Sequence, residues 1–248
     1  MSSAMPSVTV VLLSWHRPQN IPLLLDCLAG QTLQPRVIIV DNGWGGAAEE
    51  DRLRLDDHPL VDLVIRHTKN LGCFPRWHAA AQTDCEYICT LDDDLLLADP
   101  RVLEDAIAAQ EEECPDGIVG FYGWSGAPGR SYRRGRHFRG TKLGTRCDII
   151  KGRFMVLRRR LLERVPLLIP GVSLREDDIY VSLCISRGQP DYHLIPRRLG
   201  CRCKNLPGSN TGASAEPGHW LSRHTQVKAL TAHFEIDRIV KQAEGRQL

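Results

Sequence analysis

The 248-residue chain carries 32 lysines and arginines against 30 aspartates and glutamates, a formal net charge of +2, with 42% hydrophobic and 25% charged residues. That length can bury a sizeable core, and the near-neutral balance excludes bulk electrostatic attraction to nucleic acid. Nine scattered cysteines, with Cys201-x-Cys203 the only close pair, exclude a CxxC zinc site. They read as small buried hydrophobes in a reducing compartment. Residues 1–7 are short and polar, unlike a signal peptide, and no apolar run reaches transmembrane length. The expectation is a soluble, cytoplasmic protein.

Residues 8–13 are a β-branched run ending in Ser14-Trp15-His16-Arg17-Pro18, which predicts a buried strand and a polar loop. Helical spacing follows over 20–28, Gly30 ends it, and 37–40 make a second strand that stops at Asp41-Asn42-Gly43. Strand, helix, strand over this distance is a βαβ unit, so the strands are parallel. Residues 43–57 read as a glycine-rich loop and a polar helical segment. A third strand, 61–66, leads to Asn70-Leu71-Gly72, then a short helix over 76–83 and a strand over 86–91. Beyond Asp92-Asp93-Asp94 come a helix (100–113), a strand (117–121) and a Gly-, Arg- and aromatic-rich excursion (123–140). Strands at 147–150 and 154–157, a short helix at 158–165, a helix at 179–186 and a strand at 194–199 complete the body. Residues 204–217 read as a loop and 219–240 as an amphipathic helix. The pattern predicts one α/β domain, 1–248, with a central mostly parallel sheet.

The polar residues gather where strands end, and ligands of open α/β sheets bind outside the carboxyl ends of the strands. Asp92-Asp93-Asp94 lies between two apolar runs. Adjacent carboxylates repel unless something positive sits among them, and hard divalent cations such as Mn²⁺ or Mg²⁺ share carboxylate oxygens with substrate phosphates. A metal–diphosphate site is therefore expected there, against a solvated acidic turn. A second acidic group, Arg175-Glu176-Asp177-Asp178, opens a helix; an N-terminal acid is favourable there, which accounts for one of these acids but hardly for three.

The order of these motifs resembles the GT-A glycosyltransferases, a Rossmann-like fold that uses nucleotide-diphospho-sugar donors and a divalent metal held by a DxD-type motif. The N-terminal half is similar to the broad family 2. Ile118-Val119-Gly120-Phe121, Glu176-Asp177-Asp178-Ile179, and Thr211-Gly212-Ala213-Ser214 with His219-x-x-x-Arg223 resemble the exostosin-type family 64. The chain departs from the animal members in lacking a targeting segment and in carrying Arg175-Glu176 where those have Asn-Cys.

The resemblance implies a nucleotide-binding half (1–120) and an acceptor-side half (121–248), and it implies site roles. Asp94 is the metal ligand, Asp92 accepts from the ribose hydroxyls and Asp93 approaches the sugar. Asp178 and Asp177 lie beneath the donor sugar, steadying an oxocarbenium-like centre if the enzyme retains configuration or acting as general base if it inverts. Ser14 and Arg17 hold base and phosphate, the alternative for Arg17 being a surface arginine. Asp41, Asn42 and Asn70 contact base and ribose, although an Asx turn explains Asn42 nearly as well. Arg76 touches diphosphate or is an ordinary helix-start charge. His219 and Arg223, four apart on one helix face, point at the diphosphate, His219 as a metal or phosphate ligand, or they are plain surface residues.

Residues 130–139, arginines interleaved with Tyr132, His137 and Phe138, fit an acceptor loop or a solvated one. An RNA patch fits less well with the low net charge. Residues 204–217 suit a lid that excludes water. The expected partners are a nucleotide diphosphate sugar, most simply UDP-linked, and a glycan or small-molecule acceptor, with no nucleic acid. A nucleotidyltransferase would carry a Gly-rich basic loop after the first strand, which Ser14–Pro18 is not. A non-catalytic nucleotide-sugar-binding module is the reading outside enzymes.

Overall fold

The computed structural model describes residues 6–43, 55, 57–126, 131–140, 144–200, 202–209 and 216–244. β1 (Val8–Ser14) is buried along its whole length, as expected for a strand covered on both faces. It pairs in parallel with β2 (Arg36–Asn42) on one side and β4 (Tyr87–Asp92) on the other, and β3 (Val61–His67) extends the parallel run beyond β2. The other edge is built from β11 (Phe154–Arg158), antiparallel to β4, then β6 (Val119–Gly120), β12 (His193–Ile195) and β9 (Thr145–Cys147). The eight strands run in the order β3-β2-β1-β4-β11-β6-β12-β9. The predicted α/β fold and its mostly parallel sheet are thus present.

The period of two along β1 sorts its side chains between two cores. Val8, Val10 and Leu12 pack with α1 (Ile21–Ala29) and α3 (Val102–Glu113) on one face. Val11 and Leu13 pack with α2 (Pro75–Ala81) and α4 (Asp177–Ser186) on the other. Each fully buried Leu, Ile or Val stabilises the fold by about 1.5–3 kcal/mol. α4 is buried at all ten positions, as a helix must be when it lies between a sheet and another helix, here α5 (His219–Glu244). It stops where Arg187 and Gly188 take left-handed backbone, φ 51° and 72°.

Several predicted boundaries move for identifiable reasons. The strand expected at 117–121 is only β6, because the chain then leaves the main sheet. β7 (Tyr122–Ser125), β8 (Arg136–Arg139) and β10 (Ile149–Ile150) form a separate three-stranded sheet, so the excursion at 123–140 contains ordered strands. The strand expected at 147–150 is split at Asp148, whose carboxylate accepts the amides of Gly126 and Asp191. The strand expected at 194–199 ends at Ile195, because Pro196 has no N–H for the ladder. The helix at 158–165 is a 3-10 helix, Arg159–Arg164. The loop expected at 204–217 begins as β13 (Cys203–Asn205), paired antiparallel with β5 (Leu95–Leu97) just after the triple aspartate. Most of the polar segment expected at 43–57, and Thr211 to Ser214, lie outside the described residues. Cys27, Cys73, Cys85, Cys89, Cys114, Cys147 and Cys184 are free thiols.

Candidate active site

β4 ends at Asp92 and β5 begins at Leu95, so Asp93 and Asp94 form the turn between them. Asp93 turns inward, onto the loop after β1. It accepts the Trp15 amide at 2.8 Å, the Ser14 hydroxyl at 3.2 Å and the Arg17 guanidinium at 2.7 Å. Asn20 donates to the Asp93 carbonyl at 2.8 Å and to that of Pro207 at 3.1 Å. Asp94 is gripped from two sides: Arg153 donates Nε at 3.0 Å and Nη2 at 2.8 Å to Oδ1, and Arg17 lies 3.1 Å from Oδ2. The segment after β13 closes over this turn, with Leu206 donating its amide to the Asp94 carbonyl and Arg153 bonding Asn205. Burial pushes the Asp93 carboxyl up to about 7 and that of Asp92 up to about 6, against the pull of Arg17 and Arg76.

The two acidic motifs are joined by Arg76. Its side chain is only 2% exposed, and it donates Nη1 to Asp92 and Nε to Asp177, each at 2.7 Å. Trp77 donates its indole N–H to the same Asp177 oxygen at 2.6 Å. Gly152 completes the arrangement. Its carbonyl accepts from Arg76 at 3.1 Å, and its amide donates to Asp178 at 3.2 Å. A Cβ at this position would stand 2.5 Å from Arg76 Nη2. Glycine is therefore required by a close approach.

Asp178 takes the Ile179 amide on Oδ1 at 2.9 Å and the Arg223 guanidinium on Oδ2 at 2.7 Å. Arg223 also donates to Glu176 at 2.8 Å and to the Tyr132 hydroxyl at 2.8 Å. Tyr132 stacks on Trp124 at 4.6 Å, with 13° between the rings. Burial opposes the charge on Asp178, but Arg223 and the Gly152 amide together hold its carboxyl below the usual range.

The structure therefore brings Ser14, Arg17, Arg76, Asp92, Asp93, Asp94, Asp177, Asp178 and Arg223 into one buried network. Arg17 and Arg223 are each 8% exposed, so neither is a surface arginine. Arg76 is likewise no ordinary helix-start charge. Asp41, Asn42 and Asn70 form a second group at the end of β2. Asn42 donates to Asn70 at 2.8 Å and to the Gly72 carbonyl at 2.7 Å, and accepts the Leu71 amide. Asp41 accepts the Gly43 amide at 3.1 Å. His219 feels Arg223, Asp178, Arg175 and Glu216, and burial lowers its pKa. Sequence reading missed Arg153 and Trp77 altogether; Lys151-Gly152-Arg153 follows a two-residue strand and carries no local pattern of its own.

Among the described residues no three His, Cys, Asp or Glu side chains come close enough together to form a ready-made metal cage. The donor set nevertheless fits a hard divalent cation. Six buried or half-buried carboxyl groups (Asp92, Asp93, Asp94, Glu176, Asp177, Asp178) face four guanidiniums (Arg17, Arg76, Arg153, Arg223), so the acids outnumber the cations by two. The Asp92 side chain keeps 29% exposure. A cation that takes one or two carboxylates and completes its shell from substrate phosphates needs no more.

The sequence pattern of the family described as glycosyl transferase family 2 matches residues 9–180. The chain belongs to glycosyltransferase family 2. The matched region reaches from β1 through both acidic motifs to the first turn of α4. Solved structures similar to this family 2 enzyme include a mannosyltransferase, PcManGT from Pyrobaculum calidifontis, in complex with GDP-Man and Mn²⁺. It has a TM-score of 0.55 and 20% identity over 79% of this chain and 58% of that one. S. aureus TarS 1–349 has a TM-score of 0.53 and 17% identity over 76% and 57%. Its complex with UDP-GlcNAc gives 0.53 and 18% over 76% and 55%. The transferase thus spans under two thirds of these neighbours, which share its GT-A fold. No curated protein matches the chain. No described helix is long and apolar enough to cross a membrane.

Proposed function

We propose that this glycosyltransferase moves a hexosyl or N-acetylhexosaminyl group from a UDP-linked sugar to an acceptor hydroxyl, with retention of configuration. The observation that carries the reading is the Arg76 bridge between Asp92 and Asp177. It fixes the strand-end carboxylates, suited to a donor, beside the α4 carboxylates, suited to the reacting sugar.

The donor diphosphate lies over Asp92 to Asp94, with Mn²⁺ or Mg²⁺ held by Asp94, next to Asp92, when bound. That ion supplies charge for the departing nucleoside diphosphate. Arg17 and Arg153 are the guanidiniums within reach of the same oxyanions, and Asp92 faces the ribose. The network of Asp41, Asn42 and Asn70 walls the base side. Asp177 and Asp178 lie under the sugar, and His219 with Arg223 stands on the leaving-group side. The donor half is residues 1–120 and the acceptor half 121–248 of one catalytic domain. The free thiols of Cys27, Cys73, Cys85, Cys89, Cys114, Cys147 and Cys184 support a reducing, cytoplasmic setting.

Retention is favoured by the state of Asp178. A carboxylate held by a guanidinium and two backbone amides is a weak base, better suited to steadying a cationic sugar than to taking a proton. The likeness of the second half to exostosin-type transferases supports the same outcome. The family 2 match favours the other reading, an inverting transferase with Asp178 as general base. Mn²⁺-dependent turnover of UDP- and GDP-sugars tests the activity, and NMR of the new linkage tests its stereochemistry. An α-donor giving a β-product would replace retention by inversion. Donor binding with no turnover, and no loss on Asp178→Asn, would leave a binding module.

A further inference from the structure

One group of cations and rings takes no part in the chemistry above. Lys151 lies in the turn between β10 and β11, directly before Gly152, whose amide bonds Asp178. It is half-buried, and its Nζ lies 3.0 Å from Nδ1 of His137 on β8. An ammonium has only donors, so Nδ1 is the acceptor and the imidazole is neutral with its proton on Nε2. Two Lys151 N–H groups remain as donors, while the His137 Nε2–H faces the backbone carbonyls of Arg133 and Tyr132. The charges acting on Lys151 are Arg223, Asp178 and Arg139, and burial together with Arg223 pushes its ammonium down to about 8. The one carboxylate among them, Asp178, is already held by Arg223.

Aromatic rings border this group. Trp220, in the first turn of α5, is 42% exposed. Its ring meets His137 edge-on at 5.8 Å and lies 6.2 Å from Tyr132. An exposed indole next to a neutral imidazole offers an apolar platform for the C–H face of a sugar ring. Lys151 supplies positive charge at its edge. Both lie one residue from groups that surround Asp178, Gly152 on one side and His219 on the other.

We propose that Lys151, His137 and Trp220 form an acceptor subsite for a sugar that carries an anion, carboxylate or phosphate, near its attacking hydroxyl. The ring lies on Trp220, and the anion takes the two free N–H groups of Lys151, whose ammonium His137 holds in place. This subsite rests on the transferase reading and on Asp178 as its centre.

The test is kcat/KM for three acceptors with the same ring: methyl glucuronide, glucose 6-phosphate and methyl glucoside. An anionic acceptor is used about tenfold better than the neutral one or more, a difference of the size expected for one charge-assisted contact. The better of the two anionic sugars identifies the anion. Lys151→Met brings the ratio close to one through acceptor KM, Lys151→Arg keeps most of it, and Trp220→Ala raises KM for all three. Equal use of the three by the wild type overturns the subsite, as does an unchanged ratio in a Lys151→Met protein that still melts cooperatively. If no donor is turned over, the transferase reading fails separately. Calorimetric titration of the three sugars into the protein with UDP and Mn²⁺ then decides, and equal affinity for the neutral sugar overturns the proposal. Loss in Lys151→Met of binding to anionic phospholipid vesicles, with sugar binding intact, would make this surface a membrane contact and overturns it too.

Discussion

Arg223 and Asp178 stand 45 residues apart in sequence and 2.7 Å apart in space, a guanidinium from the last helix closing on a carboxylate in the first turn of α4. The same guanidinium holds Glu176 and Tyr132. One side chain therefore fixes the geometry of the acidic motif that lies nearest the reacting sugar.

Replacing Arg223 by Met leaves Asp178 without its ion-pair partner and Glu176 with only Arg175, 3.9 Å away. Breaking a buried pair by removing one partner costs about 3–5 kcal/mol, so urea unfolding of Arg223→Met is expected to show a loss of that size. Asp178→Asn keeps the shape but not the charge. It is expected to lower kcat about 100-fold or more while the donor KM changes little.

Arg76 is a different test, because its value lies in the shape of its head group. Two nitrogens of one planar fork reach Asp92 and Asp177, and a third contact goes to the Gly152 carbonyl. Lysine keeps the charge but cannot reproduce the fork. Arg76→Lys is therefore expected to lose most of the activity, measured as kcat/KM. Gly152→Ala is expected to resemble it, since the added methyl must displace Arg76 or the strand.

The acidic turn predicts a pH dependence. Asp92 and Asp93 have folded-state pKa values of about 6 and about 7, above the ordinary carboxyl range. The folded chain therefore holds protons where the unfolded chain has lost them, and these two groups stabilise it as the pH falls from 7 towards 4. Asp178 has the opposite shift, so its contribution is lost only below the ordinary carboxyl range. Urea midpoints at pH 7 and pH 5 should show the more acidic sample favoured. A cation beside Asp92 must displace its proton, so Mn²⁺-dependent UDP binding should weaken below pH 6 by up to about tenfold per unit. Isothermal titration across pH 5–8 measures it.

Arg153 competes for the oxygen that a cation at Asp94 needs. Arg153→Met is expected to tighten Mn²⁺ binding without donor by about tenfold, the release of one charge-assisted contact. It should also weaken UDP binding, because a diphosphate partner is gone. Titration of Mn²⁺ and of UDP separately checks both signs.

Continuous β-branched runs and helical periodicity in the sequence determined the parallel half of the sheet. Buried strands bounded by Gly, Asp and Asn are local patterns, and β1 to β4 follow from them. The candidate acids were legible for a related reason, since three charges between apolar runs need a partner that the local chain does not supply. Tertiary structure decided which partners they have. Arg76, Arg153 and Arg223 each occupy a position where an arginine commonly faces solvent, and only the sheet order carries them inward. Placing β11 against β4 brings Gly152 and Arg153 to the triple aspartate, and packing α5 on α4 brings Arg223 to Asp178. These contacts span 45 to 101 residues. No local periodicity reports them, because the energy that fixes them is burial of charge with its counter-charge, a property of the packed whole.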